Sequence, residues 1–284
     1  MPQPGQWEEA IEDALRGIAG GLVFGVPLLY TMEVWELGQA VAPGRAVVAL
    51  ALTFVPVFLL VATSGFRNHP VPTRLDVLVD VVTAVGLALL SAAAVLVILQ
   101  RITSGTPILV AAQMIVFEAA PFAIGAAVAT EVFNRATDRP RVGDQERNDD
   151  ERARATISDL GATAVGATFI ALSIAPTDEV PMLAAGIGTP WLAVLAVASL
   201  VVTYAIVFTA GFSNEEQRRQ QIGVLQRPAT ETAAAYLVSL AISAVMLWFF
   251  GNLELGQPLN VALAHTVVLS FPASVGGAAG RLVV

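Results

Sequence analysis

Among the side chains able to do chemistry, Glu118 has the most unusual setting. It lies inside Gly105–Ala127, GTPILVAAQMIVFEAAPFAIGAA, an apolar run far longer than a soluble strand needs, and Pro121 follows three residues later. An ionised carboxylate at mid-membrane depth costs several kcal/mol unless it is paired, hydrated or protonated. The residue is therefore a candidate proton or small-cation site, the alternative being a protonated acid that only bonds a neighbouring helix. Pro121 removes an amide donor and frees a carbonyl one turn back, which predicts a bend beside the acid.

A second candidate is His265 in Gly256–Ala278, GQPLNVALAHTVVLSFPASVGGA, roughly two turns before Pro272. Pro107, Pro121 and Gly125 match Pro258, Pro272 and Gly276 at a constant spacing of 151, which puts His265 on Met114 and Leu269 on Glu118. A His265–Glu118 pair where two halves of the chain meet would make a proton relay; a histidine held by a backbone carbonyl is the plainer alternative. Pro272, like Pro121, is expected to bend its helix.

The remaining acids lie nearer the ends of apolar runs. Glu33 and Glu36 in LLYTMEVWELG, with Asp178 and Glu179 further on, form a candidate outer ring that concentrates cations, or are simply hydrated at helix ends. Asp76 and Asp80 open another run one turn apart, where the helix dipole favours acids. Glu231 matches Asp80, but Arg227 stands where a second Asp76 would be, which weakens a paired metal site there. His69 and His265 are too far apart in the chain to suggest a metal site, so no metal is assigned.

Several chemistries are missing. Cysteine is absent, which removes thiolate nucleophiles and thiolate metal ligands. All 15 basic residues are Arg, so a Schiff-base lysine is excluded. No HExxH, GxSxG, P-loop or Rossmann glycine pattern is present, and the reading is a protein that is not an enzyme, carries no cofactor and binds no nucleic acid.

The elements that must hold these residues are membrane helices. The 284 residues are 56% hydrophobic and only 13% charged, with a mean hydropathy of +0.71. A soluble domain needs more charged surface, whereas runs of about 20 apolar residues cross about 30 Å of hydrocarbon. Such runs fall at about Leu15–Trp35, Arg45–Thr63, Asp76–Leu99, Pro107–Phe133, Leu160–Ala175, Pro190–Thr209, Glu231–Leu253 and Pro258–Val284. The expectation is an all-α polytopic protein with eight transmembrane helices.

The runs repeat. At a spacing of 146, Asp13, Gly20, Thr31 and Glu33 match Asp159, Gly166, Thr177 and Glu179, and TSGFRN at 63–68 matches TAGFSN at 209–214. The chain reads as a tandem 4+4 repeat: four helices in 1–133, a charged cytoplasmic linker at 134–156 and four more in 157–284. An even number of helices per copy makes the repeats parallel. With both termini inside, thirteen Arg residues are cytoplasmic and only Arg45 and Arg101 lie outside, which predicts N-in and C-in in the plasma membrane. Gly17, Gly20, Gly21 and Gly25, and later Gly276 and Gly280, read as faces for close helix packing.

At Arg16–Gly17, the run GVPLLYTMEVWELG (Gly25–Gly38) and SGF (Ser64–Phe66), the chain resembles an uncharacterised family of prokaryotic integral membrane proteins with an R-G…P-L-L-x-T-M-E-x-W signature. The resemblance implies a multi-pass membrane protein and supplies no activity. Three readings follow. The first is a channel or transporter for a proton or small cation, its path between the two repeats and Glu118, Glu33 and Asp80 at three depths. The second is a non-enzymatic scaffold or sensor assembled with a membrane partner or with copies of itself. The third and weakest is a metal-dependent lipid or prenyl enzyme using Asp76 and Asp80.

Overall fold

Threonines with acids after them interrupt the first and fifth apolar runs. At the first break Thr31 N–H and Oγ1 both donate to Leu28 O, at 3.0 and 2.6 Å. At the second, Thr177 N–H and Oγ1 donate to Ile174 O, at 3.1 and 2.6 Å. Pro176, which has no N–H, reinforces the second stop. Helix then restarts with acids in its first turn, Glu33 and Glu36 in one case and Glu179 in the other, where the positive end of the helix dipole stabilises them.

The computed structural model describes residues 6–31, 33–64, 74–137, 149–209, 228–254 and 256–281. Within them lie ten α-helices and no strand: α1 (Gln6–Leu29), α2 (Glu33–Ala40), α3 (Pro43–Ser64), α4 (Arg74–Ile98), α5 (Ile108–Thr137), α6 (Asp149–Ile174), α7 (Glu179–Ala185), α8 (Thr189–Thr209), α9 (Pro228–Phe249) and α10 (Leu259–Arg281).

Six of these, α3, α4, α5, α8, α9 and α10, are long and apolar enough to cross a membrane singly. The pairs α1–α2 and α6–α7 qualify only together, bent by 80° and 87°, so the spans number six, or up to eight if each bent pair is one. The expected count of eight thus stands at six to eight, and what differs is that the first and fifth runs are each a bent pair of helices. An unbroken helix there would carry Glu33 or Glu179 onward among apolar residues, where a charge is costly.

The described residues form two compact units, Met1–Phe133 and Asn134–Val284. In the first, α4 packs against α1 and α3. In the second, α10 is the centre: α6, α7, α8 and α9 all pack on it, and every residue from Val268 to Ala278 is buried. Large apolar side chains instead face outward on the peripheral helices, as Leu52, Phe58, Val82, Phe169 and Val201 do, which suits a lipid solvent. Of the expected linker, α5 takes in residues up to Thr137 and α6 those from Asp149. Residues 138–148, and most of the TSGFRN and TAGFSN loops, lie outside the described residues.

Candidate functional site

One face of α5 carries Ala111, Met114, Glu118, Phe122, Gly125 and Ala129, spaced three or four apart and all buried. That spacing makes a continuous seam along a helix. The glycines expected to pack closely lie against it. A Cβ on Gly20 would fall 2.5 Å from Gly125 O, one on Gly25 2.2 Å from the Phe122 ring, and one on Gly38 of α2 2.8 Å from Met114 Cα. Going along α5 from Ala129 to Met114, the partner changes from α1 to α2. Glu118, between Phe122 and Met114, therefore sits at the level of the break between them.

The Glu118 side chain has no solvent exposure, and among the described residues neither carboxylate oxygen has a hydrogen-bond partner. Groups around the break are committed elsewhere. The Trp35 indole N–H donates to Leu29 O at 3.2 Å, and Gln113 Nε2 donates to Val41 O at 2.6 Å. The Arg101 guanidinium lies 5.5 Å from the Trp35 ring centroid, a cation–π stack, while its Nε donates to Leu99 O at 3.2 Å. Burial lowers the Arg101 pKa from its ordinary value. Tyr30, at the break itself, is buried.

His265 occupies a different setting, in the second unit. Its Nδ1 lies 3.1 Å from Asn252 O; a carbonyl only accepts, so Nδ1 carries the proton and donates. Asn252 in turn gives its Nδ2 to Ala175 O at 2.7 Å and Thr177 O at 3.3 Å, tying off the α6–α7 break. His265 is thus engaged with its own unit's backbone, as the plainer expectation had it.

The other acids scatter. Glu33 and Glu36 are exposed in the first turn of α2. Glu179 opens α7, with Oε2 buried and unpartnered. Asp80 is buried on α4, and Asp76 is half-buried one turn before it. Glu231 pairs with Arg281, which also reaches Asp159 at 3.4 Å, so this candidate cation ligand already holds a cation of the protein's own. Pro121 and Pro272 lie inside helices that run on past them, and the sharp breaks fall in α1–α2 and α6–α7. Among the described residues no three His, Asp or Glu side chains come together to hold a metal ion. A groove of about 290 Å³ between α3 and α4, lined by Phe54, Phe58, Leu78 and neighbours, is apolar throughout.

Sequence reasoning missed the hydroxyls of the second unit. Ser239 and Ser243 on α9, and Ser270 and Ser274 on α10, are all buried, each donating to a carbonyl of its own helix at 2.8–3.0 Å. Tyr236 Oη lies 3.3 Å from Ser270 Oγ. The signal was present as two serine pairs four residues apart. At the positions 151 earlier the first unit has Ala88, Ala92, Ala119 and Ala123, each buried.

A family model described as "Putative integral membrane protein (DUF2391)" matches residues 13–284, and the chain belongs to that family. No curated protein and no solved structure matches it. The chain is a multi-pass integral membrane protein with several apolar helices.

Proposed function

We propose that this member of the DUF2391 family moves a proton or a small cation across the membrane, with Glu118 as the group that takes it up. The observation that carries the reading is a fully buried carboxyl group with no donor on either oxygen among the described residues. Such a group is stabilised by a bound cation or by its own proton, since nothing else there offsets a charge. Its position at the level of a broken helix supports the same reading. Transport sites are commonly built where a helix is interrupted.

The proposed architecture is a duplicated unit. Gly20 meets Gly125 O in the first unit, and Gly166 meets Gly276 O in the second. Leu29 O and Ala175 O, 146 apart in sequence, are the break carbonyls bonded by Trp35 and by Asn252. Counting each bent pair as one span gives four spans per unit, so both copies enter the membrane in the same sense. The excess of Arg on one side supports cytoplasmic termini, and the membrane we propose is the plasma membrane.

The test is flux. Purified protein in vesicles with an entrapped pH-sensitive dye is given a pH gradient or a voltage. Wild type is expected to dissipate it, and Glu118→Gln to leave it intact while still eluting as a folded, monodisperse species. Equal flux in the two proteins would remove Glu118 from the mechanism.

A further inference from the structure

We infer that the species taken up at Glu118 is a proton and not a metal cation; this deepens the transport reading and rests on it. A metal ion leaving water needs several oxygen ligands in place of its hydration shell, six or so for the hard divalent ions and a cage of carbonyls for potassium. A proton needs one oxygen.

The surroundings of Glu118 are poor in oxygen. Its neighbours along the seam are Ala111, Met114, Phe122, Gly125 and Ala129, opposite glycines of α1 and α2. The backbone carbonyls freed by the break would be natural cation ligands, but two of them already accept hydrogen bonds. Leu28 O accepts from Thr31 N–H and Oγ1, and Leu29 O accepts from the Trp35 indole. Leu28 O and Leu29 O thus have partners without an ion.

Buried polar side chains of this unit do not make good the shortage. Thr53 donates to Ala49 O within α3, Gln113 Nε2 donates to Val41 O, and Ser91, roughly 10 Å from the end of α4, adds one buried hydroxyl, too few oxygens for a metal ion's shell. Asp80 lies at another depth. Glu118 is about 15 Å from the start of α5 and Asp80 about 27 Å from the end of α4, a difference of roughly 12 Å measured from their shared loop at about 1.5 Å per residue. Tyr30, buried at the break, has a phenol hydroxyl, which can pass a proton but is a weak cation ligand when neutral.

The contrast with the second unit sharpens the point. There Ser239, Ser243, Ser270 and Ser274 bring oxygens into the core, but position 269 is Leu. The acid stands in the unit whose matching positions are Ala88, Ala92, Ala119 and Ala123. A carboxylate in a core with several buried serines would suit a metal ion; a carboxyl group in a core with alanines at those four positions, and Ser91 as its buried serine, suits a proton.

The experiment uses full-length protein in vesicles with a pH jump, N-methylglucamine as the only other cation and thiocyanate as a permeant anion to balance charge. Wild type is expected to pass protons at a rate within about twofold of that in sodium or potassium buffer, and to take up no radioactive sodium or rubidium. Glu118→Gln should lose at least about tenfold of the proton flux, and Glu118→Asp, which keeps a proton-binding oxygen, should retain part of it. Sodium or rubidium uptake that Glu118→Gln abolishes would overturn this inference and leave the transport reading standing. If wild type moves neither protons nor metal ions, both fall together.

Discussion

Gly166 and Gly276 cross so closely that a Cβ placed on Gly166 would lie 2.1 Å from the Gly276 carbonyl oxygen. No rotamer relieves a clash with backbone, so Gly166→Ala must push α6 off α10, at a cost of about 1–3 kcal/mol. Gly86 on α4 is the control, because a Cβ there meets nothing within 4 Å. Gly86→Ala should hold or raise stability by up to about 1 kcal/mol through helix propensity. Thermal unfolding in detergent should show Tm falling for the first variant and holding or rising for the second.

Glu118→Leu puts into the first unit the residue that the second has at position 269. Removing a buried polar group that makes no hydrogen bond is neutral or stabilising, by up to about 3 kcal/mol. The expected outcome is a Tm equal to or above wild type in a protein that no longer passes protons. A marked fall in Tm would mean that the carboxyl group has a structural partner.

Asn252 joins three elements, with Ala175 and Thr177 at the α6–α7 break on one side and His265 on α10 on the other. Asn252→Ala leaves two carbonyls short of a partner, while the backbone carbonyl at 252 still accepts from His265, and should cost about 1–3 kcal/mol. His265→Phe removes only the last of these bonds and should cost less. Hydrogen exchange would localise the effect, with faster exchange at α7 for Asn252→Ala.

Arg281 draws Glu231 of α9 and Asp159 of α6 to the end of α10. Its side chain is 6% exposed, against 16% for Glu231 and 50% for Asp159, so the Glu231 arm carries most of the effect. Arg281→Gln should destabilise by about 1–3 kcal/mol by taking the guanidinium from a mostly buried acid, with the half-exposed Asp159 arm adding no more than about 1 kcal/mol. Adding Glu231→Gln to that variant should recover part of the loss. Chemical denaturation of the single and double variants measures this coupling.

The spanning helices were legible because hydrocarbon thickness demands long apolar runs, and α3, α4, α5, α8, α9 and α10 match theirs closely. The breaks at Thr31 and Thr177 were not, because hydropathy averages over a turn, although the acids that follow were plain to see. Glu118 stood out by depth alone, and the seam of glycines facing it followed from their spacing. The bond from Asn252 to Ala175 joins residues 77 apart and obeys no local rule. The buried serines went unremarked because each satisfies its own hydroxyl within one helix, so the sequence around them reads as ordinary apolar helix.

Whether Glu118 is a carboxyl group that exchanges with water can be asked directly with dicyclohexylcarbodiimide, an apolar reagent that adds to protonated carboxyl groups. The tryptic peptide 102–135 contains only two acids, Glu118 and Glu131, so mass spectrometry can place the adduct. Glu118 as the proton-binding group predicts labelling at Glu118 that slows as pH rises, because only the acid form reacts, and that vanishes in Glu118→Gln. A Glu118 that stays unlabelled at every pH while other acids of the chain react would contradict it.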